Sequence, residues 1–251
     1  MADGAIKTAR RVFEILEHFE EVRRPLGLKE IVSRFGYPVS SASVILKSMV
    51  VLGYLEYNRD SRSYIPTMRM ATLGNWVQET LFGDGAVVEL MHHMAAATSE
   101  TITIGTQSDL FAQYIHVVPS VLPIQFVIKP GDVRSLAVSG MGWLLLSSRP
   151  DAAIEGLLRR IAREEKDRAR RVTLPDLMER IEQIRSDGYM CSRHTVVRGG
   201  GVIGMLLPTR PHGRVLAIGV NGPVDRLDEK HDAIVAELRA AIPQYLGPAP
   251  G

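Results

Sequence analysis

The sequence predicts an α+β protein in two parts, and two observations lead there. Residues 6–66 read as three short helices followed directly by a hairpin, while the longer remainder mixes strands and helices in the order of a largely antiparallel sheet. The chain is also long enough: 251 residues, 45% of them apolar, can bury a core in each part.

Ile6, Ala9, Val12, Phe13, Leu16 and Phe19 recur at the spacing of one helix face, which predicts a first helix over about Lys7 to Glu20. After the Arg23-Arg24-Pro25 break, Leu28, Ile31, Val32 and Phe35 repeat the pattern and Gly36 supplies a stop. Pro38 with Ser40 or Ser41 marks a new start, and Ala42, Ile45, Leu46, Met49 and Leu52 form the stripe of a third helix ending at Gly53. The period then changes to two. Tyr54 to Tyr57 and Arg62 to Pro66 predict two strands around a turn at Asn58 to Ser61. Three helices and then a hairpin is the order of a winged helix-turn-helix, assigned to residues 1–66. Residues 67–85 are expected to be a connecting helix, interrupted at Gly74 and Gly83.

The second domain is assigned to residues 86–251. Its expected elements are a helix at Glu89 to Ala97, strands at Thr101 to Gly105, Ala112 to Val118 and Ile124 to Ile128, and helices at Leu136 to Leu146 and Asp151 to Ile161. Thr173 and Pro175 start a helix through Leu177, Ile181 and Ile184 that Gly188 closes. Strands at Met190 to Val197, Val202 to Pro208 and Val215 to Val220 and a helix at Leu227 to Leu238 complete it.

Several classes of function are disfavoured. The greasiest run, Met141 to Leu146, stops at Ser147 and Arg149, far short of the roughly 18 apolar residues of a membrane span. The N-terminal residues enter a charged amphipathic segment without the apolar run of a secretory signal, so a cytoplasmic protein is expected. Cys191 is the sole cysteine, which excludes an internal disulfide and a thiolate zinc cluster. His92, His93 and His116 lack metal-ligand spacing, and neither a metal nor a cofactor is expected.

Gly199 to Gly204 formally matches G-x-G-x-x-G, but a dinucleotide loop must open a helix, and Met205-Leu206-Leu207-Pro208 reads as a strand. Cys191 and His194 are three residues apart on an expected strand, hence on opposite faces, and form no nucleophile-base pair. No catalytic residue is assigned.

Residues 1–70 hold 11 Lys and Arg against 8 Asp and Glu, whereas the remainder is slightly acidic. An anionic partner suits the N-terminal part. A helix-turn-helix sets its second helix in the major groove, so Ser40, Ser41, Ser43 and Lys47 are the candidates for base and phosphate contact. Arg59 and Arg62 at the wing tip suit phosphates or a narrow minor groove.

The chain resembles the IclR family of bacterial regulators over almost its whole length. The likeness rests on Ile6 to Leu16, Met49 to Glu56, the wing Asp60 to Tyr64, Glu100-Thr101, Gly131 to Leu146, Ile184 to Tyr189 and Ala217 to Pro223, in that order and spacing. The resemblance implies a winged helix joined by a linker helix to a GAF-like effector-binding domain. It further implies a dimer or tetramer on a palindromic site in double-stranded DNA, and small organic acids or aromatic catabolic intermediates as effectors. By the same likeness Gly140, Met141, Cys191, Ser192 and Asn221 line the effector pocket. The sequence departs from the family in carrying Val44 where a basic residue is usual, Ser192-Arg193-His194 in place of an acidic pair, and Trp143 where many relatives have lysine. A nearby Trp and Met with fewer carboxylates points to a more apolar or aromatic effector. Two rival readings remain at this point: a winged helix used for protein contacts, motivated by Val44, and a metabolite-processing domain with a DNA-binding appendage, for which no aligned nucleophile, base and oxyanion donor is present.

Overall fold

The computed structural model describes residues 6–74, 83, 85–165, 167 and 171–247. Two compact units, Met1–Glu79 and Thr80–Gly251, divide the chain.

In the first unit α1 (Lys7–Val22) buries Ile15 and Phe19, and Arg23 ends it in the left-handed conformation at φ 50°. A two-residue strand follows, β1 (Leu26–Gly27), which the sequence reading missed because two residues carry no period. It pairs antiparallel with the returning wing strand, Leu26 opposite Tyr64. The helix α2 (Leu28–Phe35) starts where the Glu30 carboxylate accepts the Gly27 amide at 2.8 Å. Arg24, which donates to Glu30 at 2.8 Å, and that amide hold the carboxyl below its ordinary range. Gly36, at φ 66°, turns the chain tightly into α3 (Val39–Val51). Pro38, not Ser40 or Ser41, is the residue that precedes α3, and no side chain caps it. Both serines therefore lie inside the helix. The hairpin of β2 (Leu55–Asn58) and β3 (Ser63–Pro66) completes the wing. Ile15, Phe19, Leu26, Ile31, Leu46, Met49 and Leu55 form the core that fixes α2 against α3. Residues 68–74 are helical (α4), where the sequence predicts a connecting helix; its expected continuation through 75–82 and 84 lies outside the described residues.

The second unit is an antiparallel six-stranded sheet with helices on both faces. In chain order its elements are α5 (Ala86–Thr98), β4 (Thr101–Ser108), β5 (Phe111–Val118), β6 (Val133–Ser135), α6 (Gly140–Ser147), α7 (Asp151–Glu164), α8 (Leu174–Asp187), β7 (Met190–Arg193), β8 (Gly200–Leu206), β9 (Leu216–Pro223), α9 (Val224–Glu229) and α10 (His231–Leu246). The strand order is β6-β5-β4-β9-β8-β7. Alternation along the strands sends Ile102, Ile104, Ile203, Met205, Leu216, Ile218 and Val220 to the face covered by α5 and α10. Ala112, Tyr114, Met190, Val202 and Ala217 share the opposite core with α6, α7 and α8.

Three sequence expectations are corrected here. Residues 124–128 form no strand: Pro119, Pro123 and Pro130 bracket the segment, and proline can neither donate to a ladder nor leave its neighbour free. The edge strand is β6 instead, with Arg134 opposite Ala112. The strand expected to reach Val197 stops at Arg193, because His194 adopts φ 56° and its Nδ1 accepts the Gly199 amide at 3.0 Å. The last helix is two, broken at Lys230. The glycine run enters a strand, β8, as expected, and not a helix.

Candidate functional site

The first site is the outer surface of α3 with the wing. Ala42, Ile45, Leu46 and Met49 are buried, so the opposite side faces solvent. Ser40 and Lys47 are exposed there, while Ser41 and Ser43 are half-buried on the flanks. At the wing the Asn58 Oδ1 accepts the amides of Asp60 at 2.9 Å and Ser61 at 3.1 Å, which rigidifies the turn. Arg59 and Arg62 project from it, both exposed, with Arg62 in the left-handed conformation at φ 51°. Among the described residues, Lys47, Arg59 and Arg62 make no ion pair. Their charges are thus available to a polyanion.

The second site is an open cleft in the sheet unit, with about 610 Å³ of empty space along it, open solvent included. Its floor is one row of paired strand residues: Ser192 opposite Val202, Val202 opposite Asn221 and Asn221 opposite Thr101. The N-terminal end of α6 rests beside that row. Ser139 caps the helix by accepting the Gly142 amide at 3.1 Å and donates to the Ser135 carbonyl at 2.8 Å. Glycine is required here: a Cβ on Gly140 would stand 2.4 Å from Ser192 Oγ, and one on Gly142 2.4 Å from the Leu136 carbonyl oxygen. The resulting contact places Ser139, Gly140 and Met141 along the cleft.

Four of the residues expected to line an effector pocket, Gly140, Met141, Ser192 and Asn221, line this one cleft. Cys191 does not. Strand alternation turns it to the other face, where it packs with the α5 and α10 core, and burial pushes its thiol up from the ordinary range. Trp143 also lies elsewhere, with its Nε1 donating to the Ala137 carbonyl at 2.8 Å and the Arg180 guanidinium 4.5 Å above its ring. The aromatic rings at the cleft are instead Tyr114 and Phe126, and the wall is completed by Val127, Ile128, Val196 and Val197.

The sequence reading missed Arg134, Tyr114 and Phe126, because each reaches the cleft through topology. Arg134 sits on an edge strand too short to show a period, and residues 124–128 pass beside the cleft only because they do not join the sheet.

The polar atoms of the lining differ in how far their hydrogen-bonding capacity is met. Asn221 is 6% exposed, and its Nδ2 donates to Thr101 O at 3.2 Å, Thr103 Oγ1 at 2.9 Å and Gly219 O at 3.0 Å. Three acceptors around one nitrogen fix the amide's orientation and leave Oδ1 with no hydrogen bond among the described residues. Ser192 Oγ and Tyr114 Oη, on residues equally buried, are likewise unbonded. Arg134 supplies the cation; its guanidinium is 3.8 Å from Asp132, a loose pair. No carboxylate lines the cleft among the described residues.

No helix among the described residues is long and apolar enough to cross a membrane. Residues 8–59 match the family model for the IclR helix-turn-helix domain, and residues 86–244 match the model for the bacterial transcriptional regulator IclR C-terminal. The HTH-type transcriptional regulator KdgR of Escherichia coli (strain K12) is 23% identical over 185 residues, 74% of this chain and 70% of that protein. The effector domain of a transcriptional regulator IclR from Acinetobacter sp. ADP1 superposes with a TM-score of 0.62 at 31% identity, covering 66% of this chain and 97% of that one. The Thermotoga maritima IclR structure shares the fold over 97% of this chain and all of its own, with a TM-score of 0.71 at 19% identity. With both of its domains matched in order, the chain belongs to the IclR family and is a DNA-binding transcriptional regulator, not an enzyme.

Proposed function

We propose that the protein docks α3 in the major groove of a palindromic operator with Arg59 and Arg62 on the backbone, and that a small organic acid with an aromatic or branched apolar body occupies the cleft and modulates that binding. The observation that carries the effector reading is the lining itself: an apolar wall from Phe126 to Ile128, one guanidinium, three unbonded polar atoms and no carboxylate. An apolar body would be covered by Phe126, Val127, Val196 and Met141. Its carboxylate would pair with Arg134 in a charge-assisted contact, and a hydroxyl or protonated group at the other end would donate to Asn221 Oδ1. The N-terminal end of α6, where Ser139 caps the Gly142 amide, adds the positive end of a helix dipole beside the floor.

A thermal-shift screen followed by calorimetry, using substituted benzoates and branched aliphatic acids with their neutral amides as controls, tests this. A ligand of the folded state raises the melting temperature by mass action. The acid is expected to bind and its amide to bind at least tenfold more weakly, a preference that Arg134→Gln abolishes. Equal binding of acid and amide, or a preference unaffected by Arg134→Gln, refutes the assignment.

A further inference from the structure

The face of α3 that points away from the core is not uniformly polar. Residues 40, 44, 47 and 51 are spaced by four, three and four positions, so Ser40, Val44, Lys47 and Val51 form a single stripe along the helix. The two valines are 63% and 87% exposed, and Val39 at the helix start is 59% exposed. Ser48, one turn beyond Val44 and itself exposed, has its hydroxyl engaged, its Oγ donating to the Val44 carbonyl at 2.9 Å. The centre of the outward stripe is therefore an isopropyl group, between Ser40 and Lys47.

A protein-binding face and a base-reading face both accommodate exposed valines, and charge separates them. The helix α3 carries no carboxylate, its Lys47 makes no ion pair among the described residues, and the wing adds two unpaired arginines. This setting suits a polyanion. In the major groove three of the four bases offer only hydrogen-bonding groups, and thymine alone adds a C5-methyl. A valine placed against donors and acceptors would strip their water and return no bond, whereas against a methyl group it gains apolar burial.

We propose that Val44 is a specificity-determining residue that reads the C5-methyl of one thymine in each operator half-site, an inference that rests on α3 being the helix that enters the groove. Ser40 and Lys47, on either side, contact the neighbouring bases or phosphates, and Val44 fixes the identity of the base between them.

The test uses the full-length protein. A binding site is first selected from a random duplex pool, and each thymine of that site is then replaced in turn by uracil, which removes only the methyl. One thymine per half-site is expected at which uracil weakens wild-type binding by roughly fourfold, the equivalent of one buried methyl group. Val44→Ala and Val44→Ser, changes at a solvent-facing position with no core contact to lose, should show no difference between thymine and uracil there. Placing 5-methylcytosine at that position should restore part of the affinity that cytosine loses. If uracil is tolerated at every position, or its cost is the same in wild type and Val44→Ala, the inference is wrong. The docking reading fails separately: Lys47→Ala and Arg62→Ala should weaken binding to every sequence and reduce its salt dependence, and if they do neither, α3 and the wing do not face DNA.

Discussion

Asn221 ties the floor of the cleft together and, in the proposed reading, also faces the effector. From the sequence it can also be read, as the lesser alternative, as the residue that starts the turn into Gly222-Pro223, but it is paired within β9 to Thr101 on one side and Val202 on the other. Its amide nitrogen stitches β4 to β9, and its oxygen is the free acceptor. Asn221→Ala should therefore lower both stability and effector affinity. Losing the donor to buried acceptors costs about 1–3 kcal/mol of folding stability, and losing the hydrogen bond to ligand costs about 0.5–1.5 kcal/mol of binding. Urea unfolding and calorimetry on the same preparation measure the two losses. A variant as stable as wild type would show that the three donor contacts contribute nothing.

Among the elements, the 119–130 segment shows how a stretch without secondary structure is held in place. Ser120 is fixed at its start, its amide donating to Thr101 Oγ1 at 3.1 Å and its Oγ to the Ser99 carbonyl at 2.7 Å. Further along, Arg226 of α9 donates from Nη1 to the Ile124 carbonyl at 2.9 Å, while Nε and Nη2 grip Glu100 at 2.8 and 2.6 Å. Glu100 is fully buried, and Lys230 lies 3.6 Å away as a second cation. Arg226→Ala leaves that carboxylate without its fork. It should destabilise the second unit by about 3–5 kcal/mol, since the remaining charge is buried and poorly paired. Arg226→Lys restores a charge without the planar two-point grip and should recover only part of the loss. Because Ile124 leads into Phe126 to Ile128, both variants should also bind the effector more weakly. Urea midpoints indistinguishable from wild type in Arg226→Ala would rule out this role for the pair.

For the whole molecule, one short recognition helix contacts only a few base pairs, so specific affinity calls for two copies on half-sites about one helical turn apart. A two-fold symmetric dimer or a tetramer is expected in solution. Sedimentation or light scattering checks it: only a 27.7 kDa species at micromolar concentration would contradict the palindromic reading. With two copies bound, Arg59→Ala counts twice. If each Arg59 contacts one phosphate, the slope of log affinity against log salt should fall by about 1.8 per dimer.

The amino-acid sequence by itself determined the three helices and hairpin of the first unit and the class of the protein. Periods of 3.6 and 2 in Ile6 to Pro66 are enough for a winged helix-turn-helix, because each element there buries one regular face against a small core. The caps at Thr173 and Gly188 set the ends of α8 for the same local reason. Tertiary structure alone decided who meets whom in the cleft. Cys191 and Ser192 are neighbours in sequence, yet the pleat sends one to the α5 and α10 core and the other to the cleft. Trp143 is drawn into the core against Arg180, while Phe126 and Arg134, with no motif to mark them, are brought in from a proline-bounded segment and an edge strand. The distinction is physical: helix and strand periods are short-range properties of the chain, whereas a cleft is built from residues up to about a hundred positions apart, and its composition follows from strand register and packing.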